Sequence, residues 1–138
     1  MAGSPIKELL DAVDTLDVEQ VMALTAPSPQ ILIADGRRAQ GSDSVRTLLG
    51  ELLATLRVSR HQVTAEWRQE EVWIAEVAAS YELRDGTQTA TLPRAVIGRF
   101  GPDGVSELHI YGAHEHPLEE QEQTQGGLIV GGRWIPPL

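Results

Sequence analysis

VWIAEVAASYELRDGTQTATLPRAVIGRFGPDGVSELHIYG, residues 72–112, decides the fold. Apolar and polar side chains alternate through it with a period of two, the spacing of strands that bury one face. Two turn signals divide it. Asp85-Gly86 is a tight-hairpin dipeptide, and Gly101-Pro102-Asp103-Gly104 fits a type I turn with Gly104 at the left-handed bulge position. The pattern predicts strands near 72–84, 87–100 and 105–112, preceded by one near 58–67.

The turns also set register, and register sets which side chains share a face. A two-residue loop at Asp85-Gly86 places Tyr81 opposite Ala90, Ala79 opposite Leu92, Val77 opposite Arg94 and Ala75 opposite Val96. The second turn places Val96 opposite Ile110, Gly98 opposite Leu108 and Arg99 opposite Glu107. If the 67–73 connection keeps parity, His61, Val63, Ala65 and Trp67 join Trp73, Tyr81 and Arg94 on the inner face. The outer face holds Ile74, Ala78, Ala95, Ile97, His109 and Tyr111, too apolar for a fully wet surface. A homodimer through the sheet, or some other cover, is the expectation there.

Upstream the period becomes helical. Ser4-Pro5 reads as an N-cap with proline at the first helical position, followed by Ile6, Leu9, Leu10 and Val13 at helical spacing. Asp17 and Gln20 make a capping-box pattern for a short second helix, which Ala26-Pro27-Ser28-Pro29 stops. Ile31 to Ala34 and Arg37 to Gln40 read as a ribbon turned at Asp35-Gly36. Gly41-Ser42 then caps a third helix, whose Val45, Leu48, Leu49, Leu52, Leu53 and Leu56 form the clearest amphipathic stripe in the chain. Helices first and a strand meander second predict an α+β fold, with three N-terminal helices packed on one face of an antiparallel sheet.

At 138 residues the chain is one domain's worth of protein. It divides into a domain over 1–112, an acidic linker over 113–125 with four glutamates and no Lys or Arg, and an apolar tail over 126–138 that reads as a small hairpin. The absence of cysteine excludes disulfides, thiolate metal sites and thiol nucleophiles. Eleven basic residues against twenty acidic ones, net −9, argue against nucleic acid and anionic membranes as partners. No apolar run reaches membrane-span length and the first residues lack a signal peptide's apolar core, so a cytoplasmic location is expected.

The order of elements resembles the nuclear transport factor 2-like superfamily, of cystatin-like architecture, and in particular its SnoaL-like branch. The likeness lies in Leu16 to Leu24, in Asp35-Gly36-Arg37-Arg38-Ala39-Gln40-Gly41 ahead of a leucine-rich helix, in Tyr81-Glu82-Leu83-Arg84-Asp85-Gly86, in Leu92-Pro93, and in Glu107-Leu108-His109-Ile110-Tyr111-Gly112. It spans about residues 5–112. The resemblance implies a curved sheet wrapped around helices, a cone with a pocket at its wide end, and often a dimer through the sheet. It bears on fold more than on activity. Ketosteroid isomerase, a member, uses a tyrosine on the first helix, an aspartate base on the first strand and a protonated aspartate on a later strand. Those positions map near Leu9 and to Ile33 and Val96, all aliphatic. Limonene epoxide hydrolase, another relative, pairs an arginine and an aspartate two apart on that later strand and adds an aspartate on the last. Arg94 matches the arginine, while Val96 and Ile110 stand where the carboxylates should be. Both chemistries are therefore disfavoured.

The candidate ligand-binding residues are Arg94, His61, Tyr81, Trp67, Trp73, Ile33, Val96 and Ile110. Arg94 on an apolar face suits a carboxylate or phosphate held bidentately, and a register slip at Pro93 would instead turn it to solvent. His61 suits a pocket base or a hydrogen-bonded core histidine; Tyr81 suits a donor to a ligand carbonyl or a plug in the cone mouth. Trp67 and Trp73 line the inner sheet or pack it. His114-x-His116 has metal-ligand spacing but no supporting groups, so neither a metal nor a cofactor is expected. The first reading is a SnoaL-like protein that binds a small hydrophobic molecule, with an acidic group on it where Arg94 takes part. One alternative is an isomerase- or cyclase-type enzyme using His61, Tyr81 and Arg94. The other is a dimeric interaction module acting through the outer sheet face and tail.

Overall fold

Ser4 starts helix α1 (Pro5–Asp14) by accepting the backbone N–H groups of Ile6 and Lys7 at 3.1 and 3.3 Å. Asp17 does the same for α2 (Val18–Met22), accepting from the Glu19 amide at 3.0 Å. The third helix, α3 (Ser42–Ala54), begins instead at Gly41, with no side-chain cap. The hydroxyl of Ser42, read above as part of the cap, donates to the Pro27 carbonyl and ties the helix to the first strand. The computed structural model describes residues 4–112 and the backbone of 128–130 and 133–135.

Six strands form the main sheet: β1 (Thr25–Leu32), β2 (Arg38–Gln40), β3 (Leu56–Gln69), β4 (Val72–Leu83), β5 (Leu92–Gly101) and β6 (Gly104–Gly112). Their order is β2-β1-β6-β5-β4-β3. The fold is α+β, with the helices packed against one face of the sheet. The sheet is mixed, because β1 runs parallel to β6 while every other neighbour is antiparallel. A long crossover through α3 and the meander separates these two strands, which permits the parallel pairing. A second, two-stranded sheet joins β7 (Leu128–Val130) and β8 (Arg133–Ile135). The segment 113–125, with His114-x-His116, lies outside the described residues.

Strand β1 starts six residues before the Ile31 expected, and it includes Pro27 and Pro29. These prolines fall where the pairing with β6 is irregular, between Thr25 and Gln30, so their missing N–H groups leave no gap in a regular ladder. Leu56, expected as the last residue of the α3 stripe, begins β3.

The β4–β5–β6 registers are those the turns dictate: Ala75↔Val96, Val77↔Arg94, Val96↔Ile110 and Arg99↔Glu107. Two other registers differ. Near Asp85-Gly86, Glu82 bridges Gln88 and the Thr89 amide donates to Tyr81, so Tyr81 does not face Ala90. An extra residue on the returning strand is absorbed before Leu92 meets Ala79. Between Val63↔Val77 and Ala65↔Glu76 a second irregularity inverts parity. Beyond it Trp67 pairs with Ile74 on the outer face and is 52 % exposed, so it is not an inner-face residue. Trp67, Ile74, Ile97 and His109 thus make one row across four strands.

The core joins Ile6, Leu9 and Leu10 of α1 and Val45, Leu48 and Leu49 of α3 to Ala75, Val77 and Val96 of the sheet. Burial of such aliphatic side chains contributes roughly 1.5–3 kcal/mol each. At the start of β6 Gly104 has φ +112°, and a Cβ there would lie 2.5 Å from the Leu24 carbonyl oxygen. The next amide, Val105, donates to that same oxygen at 2.9 Å and begins the β1–β6 pairing. Gly104→Ala is expected to lower stability by about 2–4 kcal/mol through strain and displaced backbone. Urea unfolding should show a lower midpoint with an unchanged slope; an unchanged midpoint would remove the close approach as a constraint.

Candidate functional site

A cavity of about 260 Å³ lies between the helices and the sheet. Its walls are mostly aliphatic: Leu9 and Leu10 from α1, Leu49 and Leu53 from α3, Ile31 and Leu108 from the sheet. His61, Tyr81 and Arg94 interrupt them. The volume is at the small end for a ligand pocket, which limits any occupant to a compact molecule.

The three polar residues meet because of strand register. His61 faces Ala79 across the β3–β4 ladder, so Tyr81 is its diagonal neighbour on the same face. The rings meet edge to face, centroids 5.5 Å apart, and Tyr81 Oη lies 3.0 Å from His61 Nε2. Arg94 pairs with Val77 and Pro93 with Ala78, so no slip occurs at the proline and the guanidinium faces the cavity.

The fourth member is Asp14, at the last residue of α1. Its carboxylate accepts from Ser59 Oγ at 2.7 Å and from the His61 backbone N–H at 3.0 Å. His61 Nδ1 is 2.6 Å from Oδ1, and the imidazole is only 8 % exposed. A carboxylate accepts only, so the neutral ring keeps its proton on Nδ1 and presents Nε2 as an acceptor. The Tyr81 hydroxyl then donates to Nε2. The result is a continuous chain, Asp14–His61–Tyr81, with Arg94 beside the phenol. Burial pushes the Tyr81 pKa above its ordinary value of 10.0, Asp14 adds to that, and the charge and hydrogen bonding of Arg94 work against it. The phenol is therefore a donor at neutral pH.

Of the residues read from the sequence, His61, Tyr81, Arg94, Ile33 and Ile110 line the cavity. Three do not. Trp67 is on the opposite face beyond the β3 irregularity. Trp73 packs at the edge of the core with the Arg68 guanidinium 5.2 Å from its ring centre, a cation–π contact. Val96 is buried in the core behind the cavity wall. Asp14 went unread, although a signal existed: it stands four residues after Leu10 and extends the inward stripe of α1 with a carboxylate. Among the described residues no group of His, Asp and Glu could hold a metal ion. Among the described residues no helix is long and apolar enough to cross a membrane.

The raised Tyr81 pKa has a measurable consequence. A group whose folded pKa lies above its unfolded value stabilises the fold below the unfolded pKa, and this is lost as pH rises through the folded one. Stability should therefore fall as pH climbs past 10.0, the ordinary phenol value, and fall less in Tyr81→Phe. Ultraviolet titration should show a late-ionising phenol that is absent in Tyr81→Phe. A titration in which Tyr81→Phe removes no late-ionising phenol would contradict the buried-donor assignment.

No family sequence model matches the chain, and no curated protein matches it in sequence. Solved structures do. One is a hypothetical protein of ketosteroid isomerase-like fold from Catenulispora acidiphila DSM 44928, solved with trimethylamine: TM-score 0.73, 13 % identity, covering 82 % of this chain and 88 % of that one. Another, assigned as a SnoaL-like polyketide cyclase from Shewanella denitrificans OS-217, gives TM-score 0.71 at 10 % identity, covering 88 % and 96 %. A third is an epoxide hydrolase resembling limonene epoxide hydrolase from M. tuberculosis, at TM-score 0.67 and 11 % identity, covering 79 % and 80 %. At such identities the likeness concerns architecture alone, and on it the chain has the nuclear transport factor 2-like fold.

Proposed function

We propose that the chain binds a small, mostly apolar molecule in the cone, with an oxygen of that molecule against Tyr81 and Arg94. The observation behind this reading is the convergence of His61, Tyr81 and Arg94 in a cavity whose other walls are largely aliphatic. The apolar walls supply affinity in proportion to buried area, and the few polar groups orient the ligand. The positions that serve ketosteroid isomerase and limonene epoxide hydrolase are Leu9, Ile33, Val96 and Ile110 here, so the ligand meets its polar contacts elsewhere on the wall.

Aryl and alkyl ketones and acids of about ten carbons fit a cavity of this class. In a thermal-shift and calorimetric panel of such compounds, binding should raise the melting temperature. Tyr81→Phe and Arg94→Met should each weaken binding by roughly tenfold, the worth of one hydrogen bond to a ligand oxygen. Equal affinity in both variants would overturn the assignment of the polar end.

A second reading, an enzyme that moves a proton, is favoured by the unbroken Asp14–His61–Tyr81 chain. A base oriented by a third group is the arrangement general acid–base and nucleophilic catalysis share. It predicts that a bound ketone such as 2-tetralone exchanges its α-hydrogens with D₂O, and that His61→Gln slows exchange by about a hundredfold or more. Exchange no faster than in buffer would leave binding as the whole function.

A further inference from the structure

We propose that the cavity takes its ligand as the anion of a weak acid together with one proton, and that the proton goes to Nε2 of His61. This rests on the reading above, in which the ligand's oxygen lies against Tyr81 and Arg94.

The inference comes from counting donors. The Tyr81 hydroxyl has one proton, and in the structure it is directed at His61 Nε2, 3.0 Å away. The imidazole has one proton when neutral, and the Asp14 carboxylate holds it at Nδ1. A ligand oxygen that accepts from Tyr81 takes the phenol proton away from His61. Two acceptors, Nε2 and the phenol oxygen, would then face each other at an imidazole that is only 8 % exposed. An unsatisfied buried acceptor costs about 1–3 kcal/mol. Protonation of Nε2 removes the conflict. The imidazolium donates through Nδ1 to Asp14 and through Nε2 to the Tyr81 oxygen, and Tyr81 donates onward to the ligand.

Charge favours an anion over a neutral carbonyl compound. The groups that face His61 are Asp14 from α1, Tyr81 from β4 and, across the phenol, Arg94 from β5. Asp35 also lines the cavity and forms an ion pair with Arg37 at 2.9 Å. Helix α3 lends the lining Val45, Leu49, Leu52 and Leu53, with no titratable side chain among the described residues. Asp14 and Arg94 already balance in charge, so a carboxylate brought against Arg94 leaves the cluster one negative charge in excess between aliphatic walls, where uncompensated charge is expensive. The proton on His61 offsets it, and Asp14 is already placed to hold the imidazolium. The balance is one carboxylate and one solvent proton bound per cavity, with no covalent step.

The test is calorimetry on the full chain with 2-naphthoate, cinnamate and decanoate, each against its methyl ester, in phosphate and in Tris. Between about pH 6 and pH 8.5 the acids stay ionised, so their own titration does not intrude. Carboxylate binding should take up close to one proton, read from the difference in heat between the two buffers. Across this range the affinity for the carboxylates should fall as pH rises, by up to tenfold per pH unit. In His61→Gln the uptake should vanish and the pH profile flatten. Uptake that survives this substitution would mean the ligand itself holds the proton, and would overturn the proposal. If the variant does not fold, ¹⁵N spectra of the wild-type His61 ring decide it, since Nε2 should become protonated on binding. Carboxylates that bind without proton uptake overturn the proposal and leave the binding reading intact. Failure of every acid and ester to bind overturns the binding reading, and this inference with it.

Discussion

The carboxylate of Asp14 fastens the helical layer to the sheet and sets the chemistry of the cavity in one contact. It ends α1 and reaches β3, taking the Ser59 hydroxyl, the His61 amide and the His61 ring. α1 thereby gains a fixed position along the strand in addition to its apolar packing, which is non-directional. The same oxygens select the imidazole tautomer, and the tautomer decides that Tyr81 donates inward. A helix end, a core position and a proton inventory therefore share one side chain. An amide there would keep an acceptor for Ser59 but lose the charge that favours imidazolium. Asp14 is the place where folding and site chemistry are least separable.

Much of the architecture was legible because its determinants are local. Ser4-Pro5, the α3 stripe and the turn at 101–104 each act over a few residues, and the turn alone fixed the β5–β6 register down to Arg99 opposite Glu107. What stayed hidden was non-local or locally silent. The parallel β1–β6 pairing joins segments some eighty residues apart, with no sequence feature announcing it. The irregularity near Thr64 has no glycine to mark it, yet it inverts every later face of β3 and moves Trp67 from the inner wall to the outside. A period of two gives no defence against a one-residue slip.

The candidate site divides along the same line. His61, Tyr81 and Arg94 were legible because each interrupts an apolar face of a strand whose register a turn controls. Asp14 was not, because a carboxylate at a helix end ordinarily reads as a solvated boundary. It takes the contact with β3, about forty-five residues on, to turn that boundary into the anchor of the cluster. The family resemblance puts the aliphatic Leu9, Ile33, Val96 and Ile110 at positions that carry chemistry in its members. It could not show that polar groups had gathered on a different part of the same wall. Fold and site are separable in this architecture because the cone presents many inward positions, and any of them can be polar if its neighbours satisfy it.

The acidity of the chain, net −9, does not describe its cavity. The charged pairs Lys7–Asp11, Arg46–Glu19 and Arg57–Glu82 lie on the surface, where water and salt screen them. Inside, the few polar groups sit among aliphatic walls, and low local polarisability makes each donor and acceptor count. Many weakly acting charges therefore coexist with a site whose state turns on a single proton. That contrast explains why composition argued against nucleic acid and anionic membranes as partners but could not choose a ligand. Net charge sums contributions that act almost independently at the surface, whereas the cavity depends on one connected sequence of hydrogen bonds in which every member constrains the next.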